Sequence, residues 1–180
     1  MLAALALGGC TTRGVDAGDD AARRRMLTLL VPRKIEIVAP FTGVKSFDDD
    51  PTPDGIELLL QAVNSLDDPG MLVGHVRVEL FEQVPATADP KGRRLEHWNI
   101  ELTTMNQQRT FWNAATQMYE FRLQADPEVI PPRDRYVLQV TYASPLGEHL
   151  TAEHAFEYGT ALRAWRGAQD KSGPAAPSLD

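Results

Sequence analysis

Apolar and polar residues alternate with a period of two in several short segments of the chain. In the clearest of them, apolar Val76, Val78 and Leu80 alternate with charged Arg77 and Glu79. Successive residues of a β-strand point to opposite faces, so this pattern predicts a half-buried strand, and helical spacing does not fit it. The other in-phase apolar sets are Trp98, Ile100 and Leu102; Tyr119, Phe121 and Leu123; Tyr136, Leu138, Val140 and Tyr142; and Leu150, Ala152, Phe156 and Tyr158.

Two further apolar runs, Ile35 to Phe41 and Ile56 to Val63, bring the expected number of strands to about seven. The second run suggests a central strand. A turn at residues 144–147 would join the last two strands as a hairpin. The pattern therefore predicts an all-β fold, a single antiparallel β-sandwich.

The stretch from Asp134 to Val140 resembles the tyrosine corner and following strand of immunoglobulin-like and fibronectin-type domains. The resemblance implies that the Tyr136 hydroxyl bonds back to nearby backbone. Leu138 stands where antibody domains carry their second cysteine, so only cysteine-free relatives fit. We expect an immunoglobulin-like or transthyretin-like sandwich.

The remaining segments suggest short helices and flexible tails around the sandwich. The patch from Met26 to Val31 ends at Pro32 and is either a short edge strand or a helical turn. A crossover helix is predicted between Gln107 and Gln117, with Asn106 as its N-cap. The sandwich domain is expected to span residues 26–158, and residues 159–180 to form a short helix, from about Thr160 to Gln169, and a disordered tail.

The N-terminus carries an apolar segment, Met1 to Leu7, that runs into Gly8, Gly9 and Cys10, the only cysteine. Such a segment is typical of the end of a secretory signal peptide, although it lacks the usual basic start. Leu7-Gly8-Gly9-Cys10 also resembles the bacterial lipobox. The resemblance implies that residues 1–9 are removed and that Cys10 becomes the lipidated first residue, bearing several acyl chains.

This resemblance also suggests a location. Residues 10–25 would be a polar, lipidated tether. Thr11 follows the cysteine, and lipoproteins without aspartate at that position resemble those sent to the outer membrane. We therefore expect the chain to be lipid-anchored in the cell envelope, at the outer membrane facing the periplasm.

The length and net charge of the chain limit the classes of partner that we expect it to bind. Its 180 residues suffice for one ordinary domain, and 25 acidic against 18 basic residues give a formal charge of -7. Nucleic acid is an unfavourable partner because its phosphates would be repelled. No apolar run approaches the roughly 20 residues of a membrane-spanning helix, so the predicted membrane contact is through the lipid.

Candidate metal ligands lie in an acidic loop and at four histidines. Asp48, Asp49, Asp50 and Asp54 offer calcium-type oxygen ligands, but a solvated loop that blocks edge pairing explains them better. None of the histidines has zinc-protease spacing. His154 shares an apolar face with Ala152 and Phe156 and is expected to be structural; no metal or cofactor is predicted. The other histidines are His75, His97 and His149.

The three tryptophans are candidate platforms for a sugar ring or a protein partner. Trp98 is in phase with core positions and is expected in the core, whereas Trp112 and Trp165 are less constrained. Arg163 and Arg166 lie beside Trp165 and could contact membrane phosphates or a partner, but a frayed amphipathic terminus explains them better.

Catalytic motifs such as a nucleophile elbow or a phosphate-binding loop are not found in the sequence, and no catalytic residue is assigned. The leading hypothesis is a non-catalytic envelope module that binds another protein or plays a structural part. The alternative is a carbohydrate-binding or small-ligand-binding module. An enzyme assembled from distant loops is the third class.

Overall fold

The computed structural model describes residues 17–48, 52–85, 87–126, 128–131 and 135–159. These residues form two antiparallel sheets packed face to face, which confirms the all-β sandwich. The elements are α1 (Ala17–Leu30), β1 (Lys34–Ile37), a 3₁₀ turn (Ala39–Phe41), β2 (Gly43–Lys45), β3 (Gly55–Val63), β4 (Gly74–Gln83), β5 (Lys91–Leu102), α2 (Met105–Phe111), β6 (Trp112–Asn113), β7 (Met118–Gln124), β8 (Arg135–Ala143) and β9 (His149–Glu157).

The described residues contain nine strands rather than the seven we predicted. The predicted strand from Ile35 to Phe41 ends at Ile37, because Pro40 has no N–H for the ladder and its fixed φ favours the 3₁₀ turn. The edge resumes as β2, and both β1 and β2 pair with β3. The second additional strand is β6, which has only two residues.

The strand order is that of immunoglobulin-like sandwiches. The first sheet runs β1-β3-β7-β6, with β2 beside β3, and the second runs β5-β4-β8-β9. Tyr136, near the start of β8, donates a hydrogen bond to the carbonyl oxygen of Pro131. The predicted tyrosine corner and the predicted hairpin of β8 and β9 are therefore confirmed.

The core lies between the sheets and consists of the alternating apolar side chains. The outward side chains of the same strands are half-buried or exposed, except that of Val137, which is buried. The central position predicted for β3 is confirmed by its pairing on both sides. The largest fully buried side chains are Tyr119, Tyr136, Tyr142, Phe121, Ile56, Leu58, Leu60, Leu72, Leu80, Leu102, Leu138 and Val44.

The helices differ from the sequence prediction. α2 begins at Met105, not Gln107, and its N-cap is Thr104, not Asn106, because Thr104 and Gln107 form a reciprocal capping box. The patch from Met26 to Leu30 is helical, as the last part of α1, which also covers the second half of the predicted tether. The predicted helix and tail after residue 159 lie outside the described residues.

The loops divide between two ends of the sandwich. Val63 pairs with Lys34, Gly74 with Leu102 and His75 with Ala143, so the connections between these strands lie together. We call residues 64–73, 103–105 and 144–148 the apolar end. α1 enters β1 at this end. At the opposite end lie the described parts of the connections between β2 and β3, between β4 and β5, and between β7 and β8.

Candidate functional site

A groove of about 640 Å³ lies on the outer face of the first sheet. This volume falls within the range of roughly 300–1,000 Å³ that ligand sites occupy. Pairing of β3 with β7 sets Glu57 opposite Arg122 and Leu59 opposite Glu120. The two carboxylates and the guanidinium therefore share one outward face, and α2 and β6 form the groove's other wall. The lining residues are Glu57, Thr110, Phe111, Trp112, Asn113, Ala114, Glu120 and Arg122.

The aromatic wall of the groove is held by the core. The Phe111 ring lies 5.1 Å from that of Phe121, and the Trp112 ring meets that of Tyr119 edge-on at 5.0 Å. Phe111 and Trp112 are half-buried. Contacts with Phe121 and Tyr119 fix one side of these two rings, and the other side lines the groove. Trp112 therefore lies where an aromatic side chain can contact a ligand.

The charged groups of the groove are partly neutralised by neighbours. Glu57 is paired with Lys45, and the Asn113 amide donates to Glu120 Oε1 at 2.7 Å. The Arg122 guanidinium lies 5.9 Å from the ring centroid of Phe47, within cation–π range. Among the described residues no carboxylate pairs with Arg122, which leaves it available to an acceptor on a ligand.

The apolar end of the sandwich exposes large apolar side chains from all three of its connections. Each is between 45% and 68% exposed. Monomeric proteins seldom leave so many neighbouring apolar groups in water without a use for them. They are Leu66, Met71, Val73, Met105 and Leu146.

Beneath the apolar end, a buried polar network fixes the loop before β4. The Gln108 amide donates to the carbonyl oxygens of Leu72 and Leu102 at 2.6 and 2.8 Å, and Tyr119 Oη donates to Gln108 Oε1 at 2.7 Å. The Leu72 N–H donates to Tyr119 Oη at 2.9 Å. Burial raises the pKa of Tyr119 to about 12, so this hydroxyl stays neutral at physiological pH.

The acidic loop is tied down by its own backbone where the structure describes it. The Phe47 N–H donates to Asp54 Oδ2 at 2.6 Å, and the Ser46 hydroxyl donates to Asp48 Oδ1 at 3.1 Å. Asp48 and Asp54 line an open depression of about 540 Å³ with Asp126. Within the described ranges no three His, Cys, Asp or Glu side chains come together as metal ligands. Asp49 and Asp50 lie outside those ranges.

His154 and Trp98 pack against apolar neighbours, whereas the other three histidines are exposed. His154 is half-buried, its ring is stacked 6.0 Å from that of Phe156, and burial lowers its pKa. This confirms its apolar face. Trp98 packs against the core, as predicted, and its indole N–H donates to the Gln124 carbonyl oxygen at 2.7 Å. The exposed histidines are His75, His97 and His149.

Cys10 and Trp165, two residues that the sequence singled out, lie outside the described part of the chain. Glu57, Glu120 and Arg122 were not selected from the sequence. In the sequence these three residues are marked only by outward positions on predicted strands, and the sequence does not show which strands pair.

Comparison with known proteins gave no relative: no protein-family model, curated protein or solved structure matches the chain. Among the helices that the structure describes, none is both long and apolar enough to cross a membrane.

Proposed function

We propose that the chain is a lipid-anchored protein of the bacterial cell envelope, attached through Cys10 to the outer membrane and facing the periplasm. Its sandwich is a non-catalytic module that binds another envelope protein. The Leu7-Gly8-Gly9-Cys10 segment supports the anchor, and the groove on the first sheet supports the binding role.

The observation that carries the binding role is the anatomy of the groove. Phe111 and Trp112 give it an aromatic centre, and Glu57, Glu120 and Arg122 give it a charged rim. Protein interfaces have this arrangement, with aromatic anchors shielded by polar groups at the margin. Because Arg122 has no paired carboxylate in the described residues, an acidic side chain of the partner would find a bidentate donor there.

Affinity capture from detergent-solubilised envelopes tests the binding role. The lipidated full chain should recover one recurrent protein partner, and Arg122→Glu should abolish the recovery because it replaces the donor with a third carboxylate. Arg93→Glu is the matched control, since Arg93 is also exposed but lies on β5 of the second sheet, away from the groove. Recovery of no recurrent partner, or equal recovery with the two variants, would contradict the proposal.

Mass spectrometry of the mature N-terminus tests the anchor. We expect the chain to begin at Cys10 with acyl groups on it, and Cys10→Ser to keep residues 1–9 and to carry no acyl group. Native protein with a free Cys10 thiol and an intact leader would refute lipidation.

A carbohydrate ligand is the second candidate for the groove. Ring faces of Phe111 and Trp112 could stack on the C–H face of a sugar, and carboxylates such as Glu120 accept hydrogen bonds from its hydroxyls. Calorimetric titration with neutral oligosaccharides separates the two candidates. Binding that Glu120→Gln weakens at least about tenfold would favour the sugar, whereas no heat from any oligosaccharide would leave the groove to a protein.

A further inference from the structure

Exposed apolar side chains are concentrated in one region of this protein. Nine of the eleven large apolar side chains that are exposed in the described residues belong to α1 or to the apolar end. The other two, Phe41 and Val84, lie elsewhere and far apart in the sequence. The two parts adjoin where α1 leads into β1, because the Arg33 N–H donates to the Val63 carbonyl oxygen at 2.8 Å, next to residue 64 of the apolar end.

The last turn of α1 is apolar on every side. Met26, Leu27, Leu29 and Leu30 are all exposed, and the Thr28 hydroxyl is occupied by a hydrogen bond of 2.8 Å to the Arg24 carbonyl oxygen. A helix that is apolar all round is usually surrounded by protein or lipid. Here it faces water in the isolated molecule.

Basic residues flank this apolar turn in an otherwise acidic chain. From Ala17, where α1 begins, to Lys34 there are five basic and two acidic residues, although the whole chain has a formal charge of -7. Cationic residues beside apolar ones are typical of helices that lie in a membrane interface, where the cations meet lipid phosphates. The basic residues are Arg23, Arg24, Arg25, Arg33 and Lys34.

The position of the proposed anchor agrees with this reading. Only six residues separate Cys10 from the start of α1 at Ala17, so a lipid at Cys10 would keep α1 close to the bilayer. A 14-residue helix is roughly 21 Å long, and it leads directly to the apolar end. The same end would therefore be nearest to the membrane.

We propose that α1 and the apolar end seat directly on the surface of an anionic lipid bilayer. α1 lies in the interface, Arg23 to Arg25 contact lipid phosphates, and the tips Leu66, Met105 and Leu146 enter the acyl boundary. This inference adds a second membrane contact to the lipid anchor of the proposed function. The groove on the first sheet stays free for its partner.

Vesicle flotation of the mature chain without lipid, residues 10–180 with Cys10→Ser, tests the seating without the anchor and without the apolar leader. It should float with vesicles of phosphatidylethanolamine and phosphatidylglycerol, and less with phosphatidylcholine alone or at high salt. The triple variant Leu66→Ser, Met105→Ser, Leu146→Ser should lower the partition coefficient about tenfold or more. The matched control Phe41→Ser, Val84→Ser removes exposed apolar groups elsewhere and should change it less than about twofold.

Three outcomes would overturn the seating. The first is failure of the Cys10→Ser chain to float with any of these vesicles. The second is an equal fall in the partition coefficient for the triple variant and the control variant. The third is a photo-crosslinker at position 146 that captures a protein and no lipid in envelopes. None of these bears on acylation of Cys10 or on capture through Arg122. Failure of the seating and failure of the proposed function are therefore distinguishable.

Discussion

At the scale of single residues, Gln108 holds the loop before β4 against the core. Its amide satisfies the Leu72 and Leu102 carbonyls and accepts from Tyr119. Gln108→Leu keeps the volume but removes these three hydrogen bonds. The Tyr119 hydroxyl keeps its 3.4 Å contact with the Leu72 carbonyl oxygen, and each buried group left without a partner costs about 1–3 kcal/mol. We expect the free energy of unfolding, measured in urea, to fall by about 3 kcal/mol. Gln61→Leu, at an outward position of β3, is the control and should change it by less than about 0.5 kcal/mol.

The Tyr119 hydroxyl gives the fold a pH dependence on the alkaline side. Burial raises its pKa from 10.0 to about 12, so above pH 10 the unfolded chain loses this proton more readily than the folded one. The contribution of Tyr119 to the free energy of unfolding is therefore complete below pH 10 and falls as the pH rises towards 12. For a pKa shift of this size the fall is roughly 2–3 kcal/mol. Urea titrations across this range should show a shallower fall for Tyr119→Phe than for the wild type. If the free energy of unfolding falls equally steeply with pH in Tyr119→Phe and in the wild type, other groups cause the fall.

At the scale of elements, the capping box decides where α2 begins. Thr104 Oγ1 accepts from the Gln107 N–H at 3.3 Å, and Gln107 Oε1 accepts from the Thr104 N–H at 2.9 Å. Thr104→Ala should cost about 1 kcal/mol of folding free energy, detectable by thermal denaturation. Thr116→Ala, in an exposed turn, should have no measurable effect. Equal midpoints for the two variants would contradict a stabilising cap.

Elements were predictable from the sequence where a local pattern was long enough to show its period. β4 and β7 alternate more and less buried side chains over seven or more residues, as β8 does after Val137, so their period is visible in the sequence. The two residues of β6 carry no period, and its pairing depends on the neighbouring strand. Thr104 and Gln107 are a capping box in the sequence too, so the prediction of Asn106 as the N-cap is wrong and places the start of α2 two residues too late.

At the scale of the whole molecule, the groove could not be predicted because it depends on long-range pairing. Glu57 and Arg122 meet only because β3 and β7 pair in one register. The apolar end likewise gathers side chains from three connections, none of which is apolar enough to be conspicuous by itself. Of the residues that line the groove, the sequence analysis considers only Trp112 as a binding residue. The sequence does not show which other residues line the groove with it.

The contribution of α1 to folding is separable from its proposed place on the membrane. Side chains from Asp20 to Leu30 are exposed, while Pro32 is buried beyond the end of the helix. Removal of residues 1–30 should therefore leave the melting temperature within about 3 °C of the full chain. If α1 seats on lipid, the same truncation should reduce vesicle flotation although folding is intact. A large fall in melting temperature would instead show that these apolar side chains stabilise the sandwich, and loss of flotation could then no longer be attributed to the membrane interface alone.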